Sequence, residues 1–101
     1  MAVNCVSADR TLTASISGEL DHHGAKDIMS ELDRRIGQDM PRKLTIDMGG
    51  VTFMDSSGIA VLLRAHRRMA QLEGGLTVTN VPQQAQKVFN AAGLGRMIRF
   101  L

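Results

Sequence analysis

The segment VTFMDSSGIAVL, residues 51–62, decides how the rest of the sequence is interpreted. We expect residues 51–58 to form a loop that leads from a strand into a helix, with the side chains of Asp55, Ser56 and Ser57 at the start of that helix. Free backbone N–H groups and the positive end of the helix dipole meet at such a position. It therefore accepts a capping side chain, an anion or a covalent phosphate. Capping is the commonest of these roles for Asp and Ser, and Gly58 permits a close approach of the backbone.

Downstream of this segment the sequence predicts a helix from about Ser57 to Leu72, ended by Gly74-Gly75. Residues 76–79 follow as a strand, and a third helix has Pro82 in its first turn and Gly93 at its end. Residues 97–101 are predicted to be a short last strand. The predicted inner face of the second helix comprises Ile59, Leu62, Leu63, His66, Met69 and Ala70, and that of the third comprises Ala85, Val88, Phe89 and Ala92. Arg64, Arg67 and Arg68 are expected to form a solvated face.

Upstream, apolar residues alternate with Thr and Ser between Thr11 and Ser17, which is typical of a half-buried strand. A fainter alternation at Val3 and Cys5 predicts a preceding strand, joined by a hairpin turn at residues 7–10. The first helix is expected to begin after an N-cap at Asp21 and to end at Gly37. Its apolar stripe comprises Ala25, Ile28, Met29, Leu32 and Ile36.

A strand at residues 44–48 follows that helix, and Gly49-Gly50 is expected to permit a turn. The complete order is β-β-α-β-α-β-α-β. Strands that alternate with helices predict an α/β sheet with parallel neighbours. We find no internal repeat or linker, so residues 1–101 are treated as one domain.

The composition narrows the class of function. Twelve basic and ten acidic residues leave a net charge of +2, and three phenylalanines are the whole aromatic content, so a nucleic-acid surface is not expected. The longest apolar run has five residues, far fewer than the roughly 20 that cross a bilayer. The single cysteine, Cys5, fits a reducing compartment, and we see no secretory signal. We expect a cytoplasmic interaction module without a membrane or nucleic-acid partner.

Enzymatic and metal-binding alternatives find little support. The sequence has no G-x-S-x-G nucleophile motif, and nothing in it brings a histidine to Asp55 and Ser56. His22 and His23 are adjacent, so on a helix they diverge by about 100°. No H-x-x-x-H or C-x-x-C spacing is present, and neither is a phosphate-binding glycine loop. We therefore expect no catalytic residues, no metal and no cofactor, although an unrelated small enzyme or ligand carrier stays an alternative.

The motif GELDHH at residues 18–23, followed by FMDSSG at residues 53–58, resembles the anti-sigma factor antagonists of the STAS-domain family. The similarity is greatest to the sporulation type, the SpoIIAA family, and extends over nearly the whole chain. It implies a single STAS-type domain with a mixed sheet, parallel central strands and helices mainly on one face. Members commonly carry another helix after the last strand, whereas this sequence stops at Leu101.

The resemblance also implies a switch between binding partners. The unphosphorylated antagonist would bind an anti-sigma factor that is also a serine kinase, and would thereby release the sigma factor. The kinase would then phosphorylate Ser56, binding would be lost, and a PP2C-type serine phosphatase would restore it. By the same resemblance Asp21, Asp55, Ser57 and Gly58 belong with Ser56 to the partner-binding surface. An antagonist in a general stress or other partner-switching pathway, or a STAS module that does not switch, is the alternative.

Overall fold

The structure, a computed structural model, describes residues 2–101 and forms one five-stranded sheet with three helices. The strands are β1 (Ala2–Ala8), β2 (Thr11–Leu20), β3 (Lys43–Met54), β4 (Gly75–Thr79) and β5 (Arg99–Phe100). The helices are α1 (His22–Asp39), α2 (Ser57–Gln71) and α3 (Gln83–Ala91), and a 3₁₀ turn at Leu94–Arg96 precedes β5. The predicted α/β order is therefore confirmed.

The strand order in the sheet is the order in the chain, β1-β2-β3-β4-β5. β1 and β2 form an antiparallel hairpin, and every later pair is parallel. Because crossover connections between parallel strands are right-handed and here always advance in one direction, all three helices lie on the same face of the sheet. The alternation in β2 follows from this arrangement: Leu12, Ala14 and Ile16 are buried beneath the helices, whereas Ser15 and Ser17 are exposed.

The core lies between this covered face and the helices. Its largest fully buried side chains include Phe89, Leu12, Ile28, Met48 and Met54. The opposite face of the sheet is lined by threonine, serine and aspartate side chains that are exposed or half-buried: Thr13, Ser15, Ser17, Thr45, Asp47, Thr77 and Thr79. Short polar side chains on one face and apolar ones on the other are expected of a sheet covered on one side.

The predicted turn at Gly49-Gly50 is wrong, because β3 runs through both glycines to Met54. The register between β2 and β3 shifts at this point, between Ser15 and Ser17, which is a β-bulge. A Cβ on Gly50 would lie 2.8 Å from the Cβ of Ser17, so the glycine permits a close approach of two strands rather than a reversal. The predicted loop at residues 51–58 is correspondingly reduced to Asp55 and Ser56.

Two further predictions about the helices need correction. α1 continues past Gly37 and ends where Met40 adopts a left-handed conformation and donates its N–H to the Ile36 carbonyl at 2.9 Å. The buried residues of α2 are Gly58, Val61, Leu62, Ala65 and Met69, so the predicted inner face is rotated. The rotation arises because α2 packs on α1 as well as on the sheet, and the small side chains of Val61 and Ala65 face α1 next to Leu32.

The connections at the end of the sheet where β2, β3 and β4 begin contain residues with positive φ angles. The β1–β2 hairpin turns through Asp9 and Arg10, whose φ angles are 51° and 63°. Met40, which caps the end of α1, and Glu73, within the connection after α2, also have positive φ angles, of 45° and 56°. Two consecutive left-handed residues form the tight turn that fits the twist of a two-residue hairpin. This turn confirms the hairpin predicted at residues 7–10.

Candidate functional site

The candidate site is built where β2 and β3 end side by side. Leu20 and Met54 are register partners in the parallel pair, and the next residues are Asp21 and Asp55. The backbone N–H of Asp55 donates to the Leu20 carbonyl at 3.2 Å, which extends the pairing by one residue. Neighbouring strands lie about 4.8 Å apart, so the sheet brings together two aspartates separated by 34 positions in the chain. The N-termini of α1 and α2 thus meet at one edge.

Asp21 caps α1. Its Oδ1 accepts the backbone N–H of Gly24 at 2.8 Å, and its backbone is extended, as is usual for an N-cap. This hydrogen bond, with a smaller contribution from the nearby His23, lowers the pKa of the Asp21 carboxyl below its ordinary value. Asp21 is therefore ionised throughout the neutral range, and the predicted N-cap is confirmed.

Asp55 caps α2 from one position further out. Its Oδ1 accepts the backbone N–H of Ser57 at 2.8 Å, and its carbonyl accepts that of Gly58 at 3.2 Å. Ser56 occupies the N-cap position but has helical backbone angles, φ −63° and ψ −13°, and its side chain makes no capping hydrogen bond. Ser56 is exposed, whereas Ser57 is half-buried. Of the three candidates for the cap that the sequence left open, the carboxylate of Asp55 takes the role, and the Ser56 hydroxyl faces solvent unused.

Gly58 is buried directly behind this loop. A Cβ at Gly58 would lie 2.2 Å from the Sδ of Met54, whose side chain is fully buried. The first turn of α2 can lie this close to the end of β3 only because residue 58 has no side chain. The sequence grouped Gly58 with the partner-binding residues; in the structure its contact is with Met54.

Two side chains near the loop were missed by the sequence analysis. Phe53 lies at the end of β3 opposite Glu19, and 47% of its surface is exposed. A register irregularity between Gly18 and Glu19 precedes this pair, and an irregular register cannot be read from alternation. Gln84, in the first turn of α3, bonds the backbone of Met54. Its partner is 30 positions away, and no local pattern in the sequence indicates such a contact.

The histidines take no part in a shared site. The rings of His22 and His23 lie edge to face with centroids 5.9 Å apart, both exposed, and His66 is half-buried on α2. Across residues 2–101 no three His, Cys, Asp or Glu side chains lie close enough together to hold a metal ion. Within these residues, none of the helices has the length and hydrophobicity needed to cross a bilayer.

The model of the STAS domain family matches residues 2–101. The chain belongs to the STAS family. An anti-sigma F factor antagonist from Lysinibacillus sphaericus is 32% identical to this STAS domain over 85 residues, which are 84% of this chain and 73% of the relative. The resemblance predicted from the motifs at residues 18–23 and 53–58 is therefore confirmed.

Solved structures support the same assignment. The anti-sigma factor antagonist SpoIIAA in its unphosphorylated form superposes on this STAS domain with a TM-score of 0.85 and 28% identity, over 99% of this chain and 88% of the other. The Bacillus cell fate determinant SpoIIAA in its phosphorylated form gives a TM-score of 0.77 at 28% identity, over 99% and 91% of the two chains. The predicted fold, a single STAS domain with a mixed sheet, is confirmed.

Proposed function

We propose that this STAS domain is an anti-sigma factor antagonist that is switched off by phosphorylation of Ser56. In its unphosphorylated form it binds an anti-sigma factor that is also a serine kinase, and the bound sigma factor is released. A PP2C-type serine phosphatase removes the phosphate and restores binding. The kinase active site and its Mg-ATP belong to the partner, so the domain itself acts without catalysis. It acts in the cytoplasm.

One observation carries this proposal: the exposed hydroxyl of Ser56 stands at the start of α2, where Asp55 already provides the cap. Modification of Ser56 therefore breaks no capping hydrogen bond. A phosphate adds about −1.5 to −2 charges and three acceptor oxygens, which the positive end of the helix dipole tolerates. Similarity to SpoIIAA in both the phosphorylated and the unphosphorylated form supports a fold that survives the modification.

The same charge explains the loss of binding. Ser56 follows Asp55 directly, and Asp21 lies at the end of the adjacent strand, so phosphorylation would place three negative groups on one edge of the sheet. A partner surface that fits a neutral hydroxyl then meets a cluster of like charges. Each 1.4 kcal/mol of unfavourable interaction reduces affinity about tenfold, so a few kcal/mol reverse the switch.

The proposal is tested by incubating the protein with the anti-sigma F factor of Lysinibacillus sphaericus and Mg-ATP, followed by intact mass and peptide mapping. We expect a gain of a single phosphate on Ser56, which is lost in Ser56→Ala and retained in Ser57→Ala. A phosphate on Ser57 would move the site by one residue. Binding without any phosphate transfer would support the alternative of a STAS module that does not switch.

The pathway is decided by a second measurement. We propose that this domain acts in the same pathway as the anti-sigma F factor antagonists. When the unphosphorylated protein is added to a complex of anti-sigma F factor with sigma F, we therefore expect sigma F to be released. Release of a different sigma factor from its own anti-sigma factor, with sigma F retained, would instead indicate a general stress or other partner-switching pathway.

A further inference from the structure

Within residues 2–101, no strand neighbours residues 48–54 of β3 on the side of the sheet where β4 lies. β4 pairs with β3 from Lys43 to Asp47 and ends at Thr79, so it does not reach the end of β3 that carries the candidate site. A strand edge without a partner leaves its N–H and C=O groups to water or to other donors and acceptors. The backbone of Met54, the last residue of β3, finds such a partner in a side chain.

The Gln84 side chain replaces the missing strand at Met54. Its Oε1 accepts the Met54 N–H at 2.9 Å, and its Nε2 donates to the Met54 carbonyl at 2.8 Å. One primary amide thus makes the pair of hydrogen bonds that a neighbouring strand makes in a ladder. Glutamine and asparagine are the side chains that offer a neutral donor and acceptor in this arrangement.

Three contacts consequently fix the position of Met54, the residue that directly precedes Asp55 and Ser56 in the chain. Its side chain is buried against Gly58, Gln84 holds its backbone on the α3 side, and the next N–H is held by the Leu20 carbonyl on the β2 side. Asp55 and Ser56 form the whole connection to α2, so they have little length over which to absorb movement of Met54. Loss of a contact that fixes Met54 is therefore expected to change the position of Ser56.

We infer that Gln84 is a positioning residue that fixes the orientation of the Asp55–Ser56 loop relative to α3. The positioning of the loop by Gln84 does not depend on the function of the protein. Its consequence rests on the proposed function: the anti-sigma factor meets the loop in one conformation instead of several. If the loop without Gln84 holds that conformation for about a tenth of the time, the apparent affinity falls about tenfold.

The test compares Gln84→Ala with Gln83→Ala, because Gln83 is the preceding residue of α3 and is also exposed. Backbone order parameters from ¹⁵N relaxation for residues 55 and 56 are expected to fall from about 0.85 to below about 0.6 in Gln84→Ala and to stay unchanged in Gln83→Ala. A loop that stays rigid in Gln84→Ala, or that loosens equally in both variants, would overturn the inference.

Gln84→Glu provides a pH-dependent rescue that simple loss of packing cannot imitate. An ionised carboxylate only accepts hydrogen bonds, whereas the protonated acid donates and accepts as the amide does. The ordinary pKa of glutamate is about 4.3, so at pH 4 the acid form predominates. Relative to wild type at the same pH, the loop of this variant is expected to be mobile at pH 7 and ordered at pH 4. Mobility at both pH values would count against the paired hydrogen bonds.

The functional consequence is measured as affinity for the anti-sigma F factor of Lysinibacillus sphaericus. Gln84→Ala is expected to bind about tenfold more weakly than wild type and Gln83→Ala equally well. Unchanged affinity of Gln84→Ala, together with a mobile loop, would refute the positioning role. If wild type itself does not bind, the proposed function fails, and the relaxation measurements still decide whether Gln84 orders the loop.

Discussion

Ser56 and Ser57 are adjacent in the chain, yet the fold uses them differently. Ser57 contributes its backbone N–H to the cap of α2 and is half-buried, whereas the hydroxyl of Ser56 is exposed and takes no part in capping. A permanent negative charge at residue 56 is therefore not expected to disturb the helix, and under the proposed function it would face the partner. This difference makes Ser56 the residue at which charge and stability can be separated by mutation.

Ser56→Asp is expected to fold as wild type and to bind the anti-sigma factor at least tenfold more weakly, which corresponds to about 1.4 kcal/mol. Ser56→Ala, which lacks only the hydroxyl, is expected to bind constitutively. Isothermal titration calorimetry measures both. Ser30→Asp is the matched control, because Ser30 is exposed on α1 about 12 Å along the helix from its first residue. Equal affinities of wild type and Ser56→Asp would contradict a charge-based switch.

Asp21 caps α1 and, under the proposed function, also contacts the partner, and one substitution can distinguish these two roles. Asparagine also caps helices through its side-chain oxygen, so Asp21→Asn is expected to preserve the thermal unfolding midpoint, while Asp21→Ala lowers it. Because we propose that the partner contacts the charge of Asp21, Asp21→Asn is expected to bind the anti-sigma factor more weakly despite its intact fold. Wild-type affinity in this variant would leave Asp21 with the capping role alone.

At the level of elements, the start of α2 depends on how closely it approaches β3. Gly58→Ala would place a methyl group 2.2 Å from the Sδ and 2.6 Å from the Cγ of the fully buried Met54. We expect a loss of about 1–3 kcal/mol in the free energy of unfolding, since overpacking a tight contact costs that much. Denaturant titration measures this loss.

Gly95→Ala is the control for that experiment, because a Cβ at residue 95 meets no atom within 4 Å. Its stability is expected to stay close to that of wild type. If both glycine variants unfold at the same denaturant concentration, Met54 moves aside and the contact does not determine the approach of α2 to β3.

The ion pairs between α1 and α2 could not be predicted from the spacing of charged residues in the sequence. The arginine run of α2 was expected to be a solvated face, but Arg64 donates its Nε–H to Asp33 at 2.9 Å and Arg68 lies 3.8 Å from the same carboxylate. Both pairs are partly exposed, so each contributes little to stability. A helical repeat indicates which arginines face outward, and only the tertiary packing of α1 decides that an aspartate meets them.

For the whole molecule, the lowered pKa of Asp21 makes stability depend on pH. The folded protein holds this proton less tightly than the unfolded chain, so the stabilisation is complete above the ordinary carboxyl pKa of about 3.9 and is lost as the pH falls through that value toward the folded pKa. Glu31, whose pKa is lowered by its hydrogen bond to Arg34, acts in the same direction.

Denaturant midpoints between pH 6 and pH 2 are expected to fall steadily below pH 4. The fall should be shallower in Asp21→Asn, since the asparagine has no proton to bind and its cap persists in acid. An identical pH profile of the two proteins would mean that the Asp21 cap does not contribute to the acid sensitivity of the fold.

Much of this molecule could be predicted from its sequence, because its strands and helices carry clear periodic patterns of apolar residues. Leu12, Ala14 and Ile16 alternate with exposed or half-buried residues as expected, and Asp21 caps α1 as expected. Two of the predictions that were wrong, the end of α1 at Gly37 and the turn at Gly49-Gly50, concern glycine, which is compatible with more than one local structure. Gly49-Gly50 supports a turn as well as a bulge, and only the pairing of β2 with β3 decides between them.

Part of the candidate site could be predicted because its residues lie in short local motifs. Asp21, Asp55 and Ser56 belong to motifs that can be recognised locally, and the parallel register of β2 and β3 brings the two aspartates to one edge. The bond of Gln84 to Met54 and the exposure of Phe53 depend on where β4 ends and on how the strands shift in register. These properties arise from the assembled sheet and have no counterpart in any short segment.

The hairpin turn at Asp9 and Arg10 lies at the other end of β2 from the candidate site. The ten residues of β2 span about 30 Å, close to the 31 Å length of the molecule, so this turn is as remote from Ser56 as the domain allows. Both turn residues are exposed. A fluorescent label attached at this turn would consequently follow the domain in a living cell while leaving the candidate site untouched.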